Sequence, residues 1–367
     1  MPPVRRTLLA ALLLAASAAL AGEQAPDTVN TAPKEKPAQA RALSIDASRP
    51  MKWMIEAQGK DGGWGTEKGA PPDVATTAIA TIALIRAGHT LSAGEHQESV
   101  RKGIDFIVKA IERVAPENPE IQGAGTQPQA KLGRYIDTYL AAQVLGEASP
   151  TATTFEDRRK VSTALDIVIV KVMALQRRDG SFQGEGWAPV LSSAFAHGGL
   201  YAARAAGSRV VTTESIEAAN RSMEAQYDAR KKEFSGTDAA GVPLYSAAGS
   251  LGAAARSGKV DGDAAKAARA AMQDEAFLRG FGTYGGEEHV SYMMTSEALA
   301  KVGGNEWSKW DKNIRERLAR IQRTDGTWRG DHCITSTTFC TAASLITLAI
   351  KSPHAPKAAP APEMGVR

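Results

Sequence analysis

The feature that most constrains this chain is a short motif, Gln-x-x-Asp-Gly-x-aromatic, which occurs three times. It reads "QGKDGGW" at 58–64, "QRRDGSF" at 176–182 and "QRTDGTW" at 322–328. A motif that recurs along a chain is typical of repeated architecture, in which each copy is one structural unit stacked against the next. The sequence therefore predicts a repeat protein, and its function must be sought in what the repeats surround.

Each copy of the motif lies between two different helices. The segments before it, such as "RPMKWMIEAQ" and "KWDKNIRERLARIQ", carry apolar residues at three- and four-residue spacing, which predicts amphipathic helices. The Asp-Gly pair suits the end of a helix, because glycine tolerates the left-handed backbone of a C-terminal cap. A run of small residues follows 16 positions after the aspartate, "TAIATIAL" from Thr77 and "TAASLITL" from Thr341.

Degenerate copies lie between the clear ones and bring the total to six helix pairs. The first helix of each pair is charged on one face and should lie outside, whereas the second is rich in Ala, Ser, Thr and Gly and suits a crowded inner ring. Six outer and six inner helices predict an all-α fold, an α6/α6 toroid.

The motif and its following run, "QGKDGGWG" and "DVATTAIATIAL", resemble the repeat of squalene–hopene and oxidosqualene cyclases, which protein prenyltransferase β subunits share. The resemblance covers residues 42–351. It implies that the glutamine and the aromatic ring of each copy tie neighbouring hairpins together. The repeat positions with this implied structural role are Gln58, Asp61, Trp64, Gln176, Asp179, Phe182, Gln322, Asp325 and Trp328.

The resemblance also provides a test for cyclase chemistry, because these enzymes protonate a polyene with an Asp-x-Asp-Asp-Thr-Ala motif. The matching stretch here runs from Asp73 to Ala78 and has Ala75 in the place of the proton donor. Asp137 in "RYIDTYLAA" keeps a fragment of the motif, with Ile136 at the donor position. Asp137 is then either a helix cap or buried polar residue, or a remnant of the acid site. The sequence predicts that cyclase activity is lost.

Protein prenyltransferases bind Zn²⁺ through Asp-x-Cys and a later histidine, and "GDHC" supplies Asp331 and Cys333. His289 is the candidate third ligand, since neighbouring hairpins place their loops side by side. A set of Asp, His and Cys with a water molecule would form an open zinc site. We nevertheless expect no cofactor, and zinc remains the alternative.

The two cysteines of the chain, Cys333 and Cys340, also suit a disulfide. Residues seven apart in one helix are too far apart to bridge, but the repeat alignment begins the inner helix near Thr337. Cys333 then lies in a loop that can fold back. We predict the disulfide, with a metal site or free thiols as the alternatives.

The two ends of the chain differ from the repeat region. Residues 1–21 have the basic start, apolar run and Ala19-Leu20-Ala21 cleavage site of a signal peptide. Residues 22–41 and 352–367 are rich in Pro and Ala and predict a disordered linker and a disordered tail. We therefore expect an exported protein, periplasmic or extracellular, without a transmembrane segment after cleavage. The formal net charge is +4 and the charges are interleaved, so we expect no nucleic-acid partner.

The function predicted from these patterns is a ligand-binding or interaction module that has kept the fold and lost the chemistry. Its ligand would be an apolar or isoprenoid-like small molecule, and a protein partner is not specified. The alternatives are a metal-assisted, prenyltransferase-like enzyme and, with Glu287, Glu288 and Arg134, a polysaccharide-lyase-like activity. The candidate catalytic residues are Asp137, Glu288, His289 and Asp331. The predicted site is the end of the ring where the inner helices begin, near Asp73, Asp137, Glu287, Glu288, His289, Asp331, His332 and Cys333.

Overall fold

The structure of the protein, a computed structural model, describes residues 45–351. The predicted signal peptide (1–21), linker (22–41) and tail (352–367), and the first residues of the predicted toroid (42–44), lie outside the described residues. No helix within 45–351 is both long enough and apolar enough to cross a membrane.

Helices dominate the described residues, and two short antiparallel strand pairs lie in the loops. The helices are α1 (Ser48–Ala57), α2 (Val74–Arg86), α3 (Gln97–Glu112), α4 (Gln127–Leu132), α5 (Ile136–Ala148), α6 (Phe155–Ala174), α7 (Pro189–Ala205), α8 (Thr213–Glu224), α9 (Pro243–Ser257), α10 (Asp263–Ala271), α11 (Glu275–Leu278), α12 (Gly286–Val302), α13 (Gly304–Ile321) and α14 (Thr337–Ala349). The strand pairs are β1 (Trp64–Gly65) with β2 (Pro72–Asp73), and β3 (Tyr227–Asp228) with β4 (Glu233–Phe234).

Six of these helices form a closed inner ring. Helices α2, α5, α7, α9, α12 and α14 pack against one another in that order, and α14 packs back against α2. Helices α1, α3, α6, α8, α10 and α13 pack on the outside of this ring. The predicted all-α, α6/α6 toroid is therefore confirmed.

Burial separates the two kinds of helix. Residues 74–84 of α2 and residues 337–348 of α14 are all buried. Outer helices bury one stripe, as α3 does with Val100, Ile104, Ile107 and Ile111. A stripe at this spacing covers one side of a helix with 3.6 residues per turn, so the charged side remains in solvent.

The repeated motif connects neighbouring hairpins through its glutamine. Gln58 Nε2 donates to the carbonyl oxygens of Gly62 in its own loop and Ser99 in α3, both at 2.9 Å. Gln176 Nε2 likewise donates to Ser215 O in α8, at 2.9 Å. Gln322 Nε2 donates to Gly326 O within its own loop, at 2.8 Å. The amide thus closes the loop in all three copies, and in two of them it also reaches the next outer helix.

The aspartate of the motif shapes the turn. The Oδ1 atoms of Asp61, Asp179 and Asp325 each accept a hydrogen bond from the backbone N–H two residues on, at 2.9–3.1 Å. This side-chain-to-backbone contact is the standard way in which aspartate stabilises a turn.

The aromatic residue of the motif anchors the loop to both helices of its pair. The indole N–H of Trp64 donates to Met54 O in α1 at 2.7 Å, and its backbone N–H donates to Thr77 Oγ1 in α2 at 2.9 Å. Trp328 repeats both contacts, with Leu318 O and with Thr341 Oγ1.

In the middle copy, the backbone hydrogen bond of the aromatic residue goes to a different position of the inner helix. The backbone N–H of Phe182 donates to Ser193 Oγ at 3.3 Å, two residues before the position that the 16-residue spacing indicates. That position is Phe195, which has no side-chain acceptor.

Small residues allow the inner helices to approach closely. A Cβ atom added to Gly146 in α5 would lie 2.7 Å from the Cβ and the carbonyl carbon of Ala202 in α7. Contacts below 3.0 Å require the backbone to move, so glycine is needed at this crossing.

The substitution Gly146→Ala should therefore lower the free energy of unfolding by about 1–3 kcal/mol, the usual cost of overpacking. Without a steric contact, replacing glycine by alanine would stabilise a helix by about 1 kcal/mol. A decrease in the free energy of unfolding therefore indicates the steric contact. Gly249→Ala in α9 is the matched control, because its Cβ would lie 3.6 Å from its nearest neighbours. Urea unfolding should show that Gly249→Ala is neutral or stabilising. An equal effect of the two substitutions would contradict the close α5–α7 crossing.

Candidate ligand-binding site

The end of the toroid where the inner helices begin, here called the N-terminal mouth, is covered by crossing loops. Gln127 at the start of α4 donates to Thr335 Oγ1 at 2.9 Å and accepts from the backbone N–H of Ser336 at 3.0 Å. Ser336 Oγ in turn donates to Thr66 O at 2.8 Å. Loops of the first, second and sixth hairpins are thereby joined, which leaves the predicted site largely inaccessible to solvent.

Two aspartates of the predicted site act as caps of one helix. Asp73 Oδ1 accepts from Thr76 N at 2.7 Å and caps α2, while Asp137 Oδ1 reaches across from α5 and accepts from Ala75 N at 3.0 Å. Asp137 is 1% exposed, and its Oδ2 has no hydrogen-bond partner among the described residues. Burial, and then the neighbouring Asp73, raises the pKa of Asp137 to about 7.

The two adjacent glutamates of α12 are held in the same way. Glu288 is fully buried and accepts from Tyr245 Oη at 2.7 Å, from Gly285 N at 2.9 Å and from Phe281 N at 3.1 Å. Glu287 accepts from Ile334 N at 3.3 Å, and burial raises its pKa to about 7. These carboxyl groups fix loops to the start of α12, and their oxygens face protein rather than an open cleft.

The structure does not bring the alternative zinc ligands together. His289 is buried, with Nδ1 2.9 Å from Ser344 Oγ, whereas Asp331 is exposed. Burial lowers the pKa of His289 to about 4, which keeps the imidazole neutral. Within residues 45–351, no group of three or more His, Cys, Asp or Glu side chains could hold a metal ion.

The predicted disulfide between Cys333 and Cys340 is not formed, and both residues are free thiols. Each thiol has a separate partner: Cys333 lies against the Glu287 carboxyl group, and Cys340 Sγ is 3.6 Å from Ile334 O. Burial, and then Glu287, raises the pKa of Cys333 to about 11, so this thiol stays protonated and is a poor nucleophile.

A cavity opens instead at the opposite end of the ring, where the inner helices end. Its volume is about 640 Å³, within the range of small-molecule sites. All six inner helices contribute to this central cavity, which is therefore on the axis of the toroid. It is lined by Arg86, Gln143, Glu147, Gly198, Tyr201, Ala202, Ala205, Arg256, Glu297, Ala300, Lys301, Ala349, Ile350 and Lys351.

One wall of the central cavity is an ion-paired cluster centred on Arg86. Its guanidinium makes two hydrogen bonds to Glu147, at 2.7 and 2.9 Å, and a third to Glu297. The three side chains are 19–22% exposed and come from α2, α5 and α12. Burial alone would raise the pKa of Glu147, but Arg86 holds it below its usual range. Glu147 is therefore ionised.

A second group of polar atoms in the cavity lacks partners. Arg256 of α9 makes no hydrogen bond with any described residue, and its Nη1 atom is buried; the carboxyl groups of Glu297 and Glu147 attract its charge from beyond ion-pair distance. The Oε1 atom of Gln143 in α5 is also buried without a partner. Burial lowers the pKa of Arg256, since the charged form loses solvent. Buried polar groups are nearly always satisfied in proteins, so these atoms point to a missing partner such as a ligand.

The sequence contains an indication of this site that the repeat pattern alone did not reveal. Arg86, Glu147, Arg256 and Glu297 are single charges near the ends of runs otherwise made of small and apolar residues. Charged side chains in a helix assigned to an inner ring need partners or a polar cavity.

Comparison with known proteins supports the fold. No family model matches the chain, and no curated protein matches it. An inactive variant of an α-1,6-mannanase from Salegentibacter sp., solved with α-1,6-mannotriose, is 11% identical with a TM-score of 0.58, and the alignment covers 83% of this chain and 98% of that chain. A variant of a type II terpene cyclase from Scytonema, solved with geranylgeranyl dihydroxybenzoate, is also 11% identical, with a TM-score of 0.49 over 83% and 95% of the two chains. The likeness to the mannanase shows the toroid fold alone, and the resemblance to squalene–hopene cyclases stays a prediction.

The raised pKa values at the N-terminal mouth predict how stability depends on pH. In the folded protein Asp137 and Glu287 hold protons up to about pH 7, whereas the unfolded chain releases them near pH 4. The contribution of these two carboxyl groups to the free energy of unfolding should therefore fall as pH rises from about 4 to about 7 and then stay level, whereas the buried neutral imidazoles of His197 and His289 contribute in the opposite direction. The variant Asp137→Asn/Glu287→Gln lacks this contribution, since the amides cannot ionise, so the free energy of unfolding of the wild type relative to the variant should fall across this window by at most about 4 kcal/mol for each carboxyl group.

Urea unfolding across this pH window measures the difference. Asp261→Asn is the control, because the Asp261 side chain is 87% exposed. If the double variant keeps the pH dependence of the wild type, both carboxyl groups are already ionised in the folded protein.

Proposed function

We propose that the protein is an exported α/α toroid that binds a small anionic ligand in its central cavity. The observation that carries this proposal is Arg256, a guanidinium that lines the cavity without a hydrogen bond or ion pair among residues 45–351. An arginine without a partner is costly to bury, and a ligand carboxylate or phosphate would satisfy it through two parallel hydrogen bonds.

The charges of the cavity favour an anion. Four basic side chains line it, against two acidic ones that are both bonded to Arg86. The cavity lies at the C-terminal ends of the inner helices, where the helix dipole favours these cationic side chains and opposes an anion, so the attraction for an anion has to come from the basic side chains themselves.

The same cavity has an apolar side, formed by Ala202, Ala205, Ala300, Ala349 and Ile350. A ligand with an acidic head and an apolar body fits this lining better than a hydrocarbon chain, because a hydrocarbon would leave the guanidinium unpaired. The isoprenoid-like ligand suggested by the resemblance would meet this requirement only as an acid or a phosphate.

Binding fits the cavity better than acid–base catalysis. A general acid needs a carboxyl group that keeps its proton near neutral pH, whereas Glu147 is ionised by Arg86. The carboxyl groups with raised pKa values, Asp137 and Glu287, are buried at the N-terminal mouth. No chemical step is proposed at either end.

The substitution Arg256→Met should raise the free energy of unfolding of the ligand-free protein by about 1 kcal/mol or more, because it removes an unpaired, partly buried charge. It should also abolish the rise in melting temperature that carboxylates and phosphates produce in the wild type, since such ligands bind the folded state alone. Thermal unfolding with and without a panel of these anions measures both effects.

Arg86→Met is the matched control. It should lower the free energy of unfolding by roughly 2–3 kcal/mol, because Glu147 and Glu297 would lose the guanidinium that compensates them. If Arg256→Met destabilises the protein like Arg86→Met, and anions leave the melting temperature of the wild type unchanged, Arg256 is structural and the proposal is wrong.

A further inference from the structure

The amide of Gln143 has a fixed orientation in the central cavity. Its Nε2 atom donates to Glu147 Oε1 at 3.0 Å, and a carboxylate that is paired with Arg86 can only accept hydrogen bonds. The amide nitrogen must therefore face Glu147, and the amide oxygen must face away from it. Gln143 is 5% exposed, so this Oε1 atom is a buried acceptor that lacks a donor among the described residues.

A glycine brings this acceptor close to the unpaired guanidinium. The point where a Cβ atom would stand on Gly198 of α7 lies 3.1 Å from Gln143 Oε1 and 3.4 Å from Arg256 Nη2. The same construction at Gly252 of α9 lies 3.2 Å from Arg256 Nη1. Glycine is unfavourable within a helix by about 1 kcal/mol relative to alanine, and here its small size leaves room around both polar groups.

Together these atoms define what a ligand must present. Arg256 offers hydrogen-bond donors to an acid group, and Gln143 offers one acceptor beside it, so the matching fragment carries a carboxylate and an adjacent O–H or N–H donor. An ammonium group would be repelled by Arg86, Arg256 and Lys301, so the donor is a neutral group, and a hydroxyl group on the carbon beside the carboxylate is the smallest one.

We propose that the central cavity selects α-hydroxy carboxylates, with the carboxylate bound by Arg256 and the α-hydroxyl group donating to Gln143 Oε1 beside Gly198. This inference rests on the proposed function, because it names the class of anion that the same cavity binds. The cavity would distinguish α-hydroxy carboxylates from other carboxylates through this acceptor, because a ligand without the hydroxyl group would leave Gln143 Oε1 buried and unpaired.

Mandelate and phenylacetate form a matched pair of probes. Both have a carboxylate and an aromatic body, and they differ by the α-hydroxyl group alone. Isothermal titration of the full chain should show mandelate binding about tenfold tighter or more, a ratio that corresponds to about 1.4 kcal/mol.

Two variants test the assigned atoms. Gln143→Met removes the acceptor, and Gly198→Ala places a methyl group between the acceptor and Arg256. Both should bring the ratio of the two affinities close to one, with a larger loss for mandelate than for phenylacetate. Gly249→Ala, on α9 but outside the cavity lining, is the control and should keep the wild-type ratio. Melting temperatures verify that each variant is folded.

The outcomes separate this inference from the proposed function. If neither acid binds the wild type, the inference fails, and the proposed function fails with it when the carboxylates and phosphates of the thermal panel also leave the melting temperature unchanged. Equal binding of the two acids would leave an anion-binding cavity and overturn the selection for a hydroxyl group. A preference for mandelate that survives in both variants would also overturn it, because the donor would then meet another acceptor.

Discussion

The parallel arrangement of six inner helices is the constraint on which the rest of the structure depends. Every inner helix leaves its free backbone N–H groups at one end of the ring and its free carbonyl groups at the other, so the helix dipoles add. Acidic side chains accordingly lie where these helices begin, as with Asp73, Asp137 and Glu287, while basic side chains outnumber the acidic pair Glu147 and Glu297 where the helices end. The two ends of the toroid are therefore chemically different, although each is built from six equivalent positions.

This polarity separates two groups of charged side chains. Those at the N-terminal mouth hold loops and helix ends together, and those at the other end line the central cavity. At the N-terminal mouth, Asp137 Oδ1 and both oxygens of Glu288 accept hydrogen bonds within the protein, and Asp137 Oδ2 lacks a partner among the described residues. At the C-terminal end, Arg86 forms ion pairs with both Glu147 and Glu297, whereas Arg256 forms none and is attracted by these carboxylates only at longer range. Basic side chains therefore outnumber acidic ones in the lining of the central cavity.

The fold could be predicted from the sequence because its signals are local and repeated. The spacing of Trp64 from Thr77 and of Trp328 from Thr341 reflects a hydrogen bond within one hairpin, and the amphipathic outer helices show the periodicity of a buried stripe. The candidate site could not be located in the same way. Whether a ring end is open depends on loops that meet from distant parts of the chain, as Gln127 and Ser336 do. The pairing of Cys333 with Cys340 was predicted from the repeat alignment, which does not show that Cys333 contacts Glu287 and that Cys340 Sγ lies against Ile334 O.

The loops that join Thr66, Gln127 and Ser336 cross one end of the ring, while the central cavity opens at the other end. The two ends therefore differ in access as well as in charge. A molecule that approaches the cavity from the end where the inner helices finish meets the charged side chains of Arg86, Arg256 and Lys301 first.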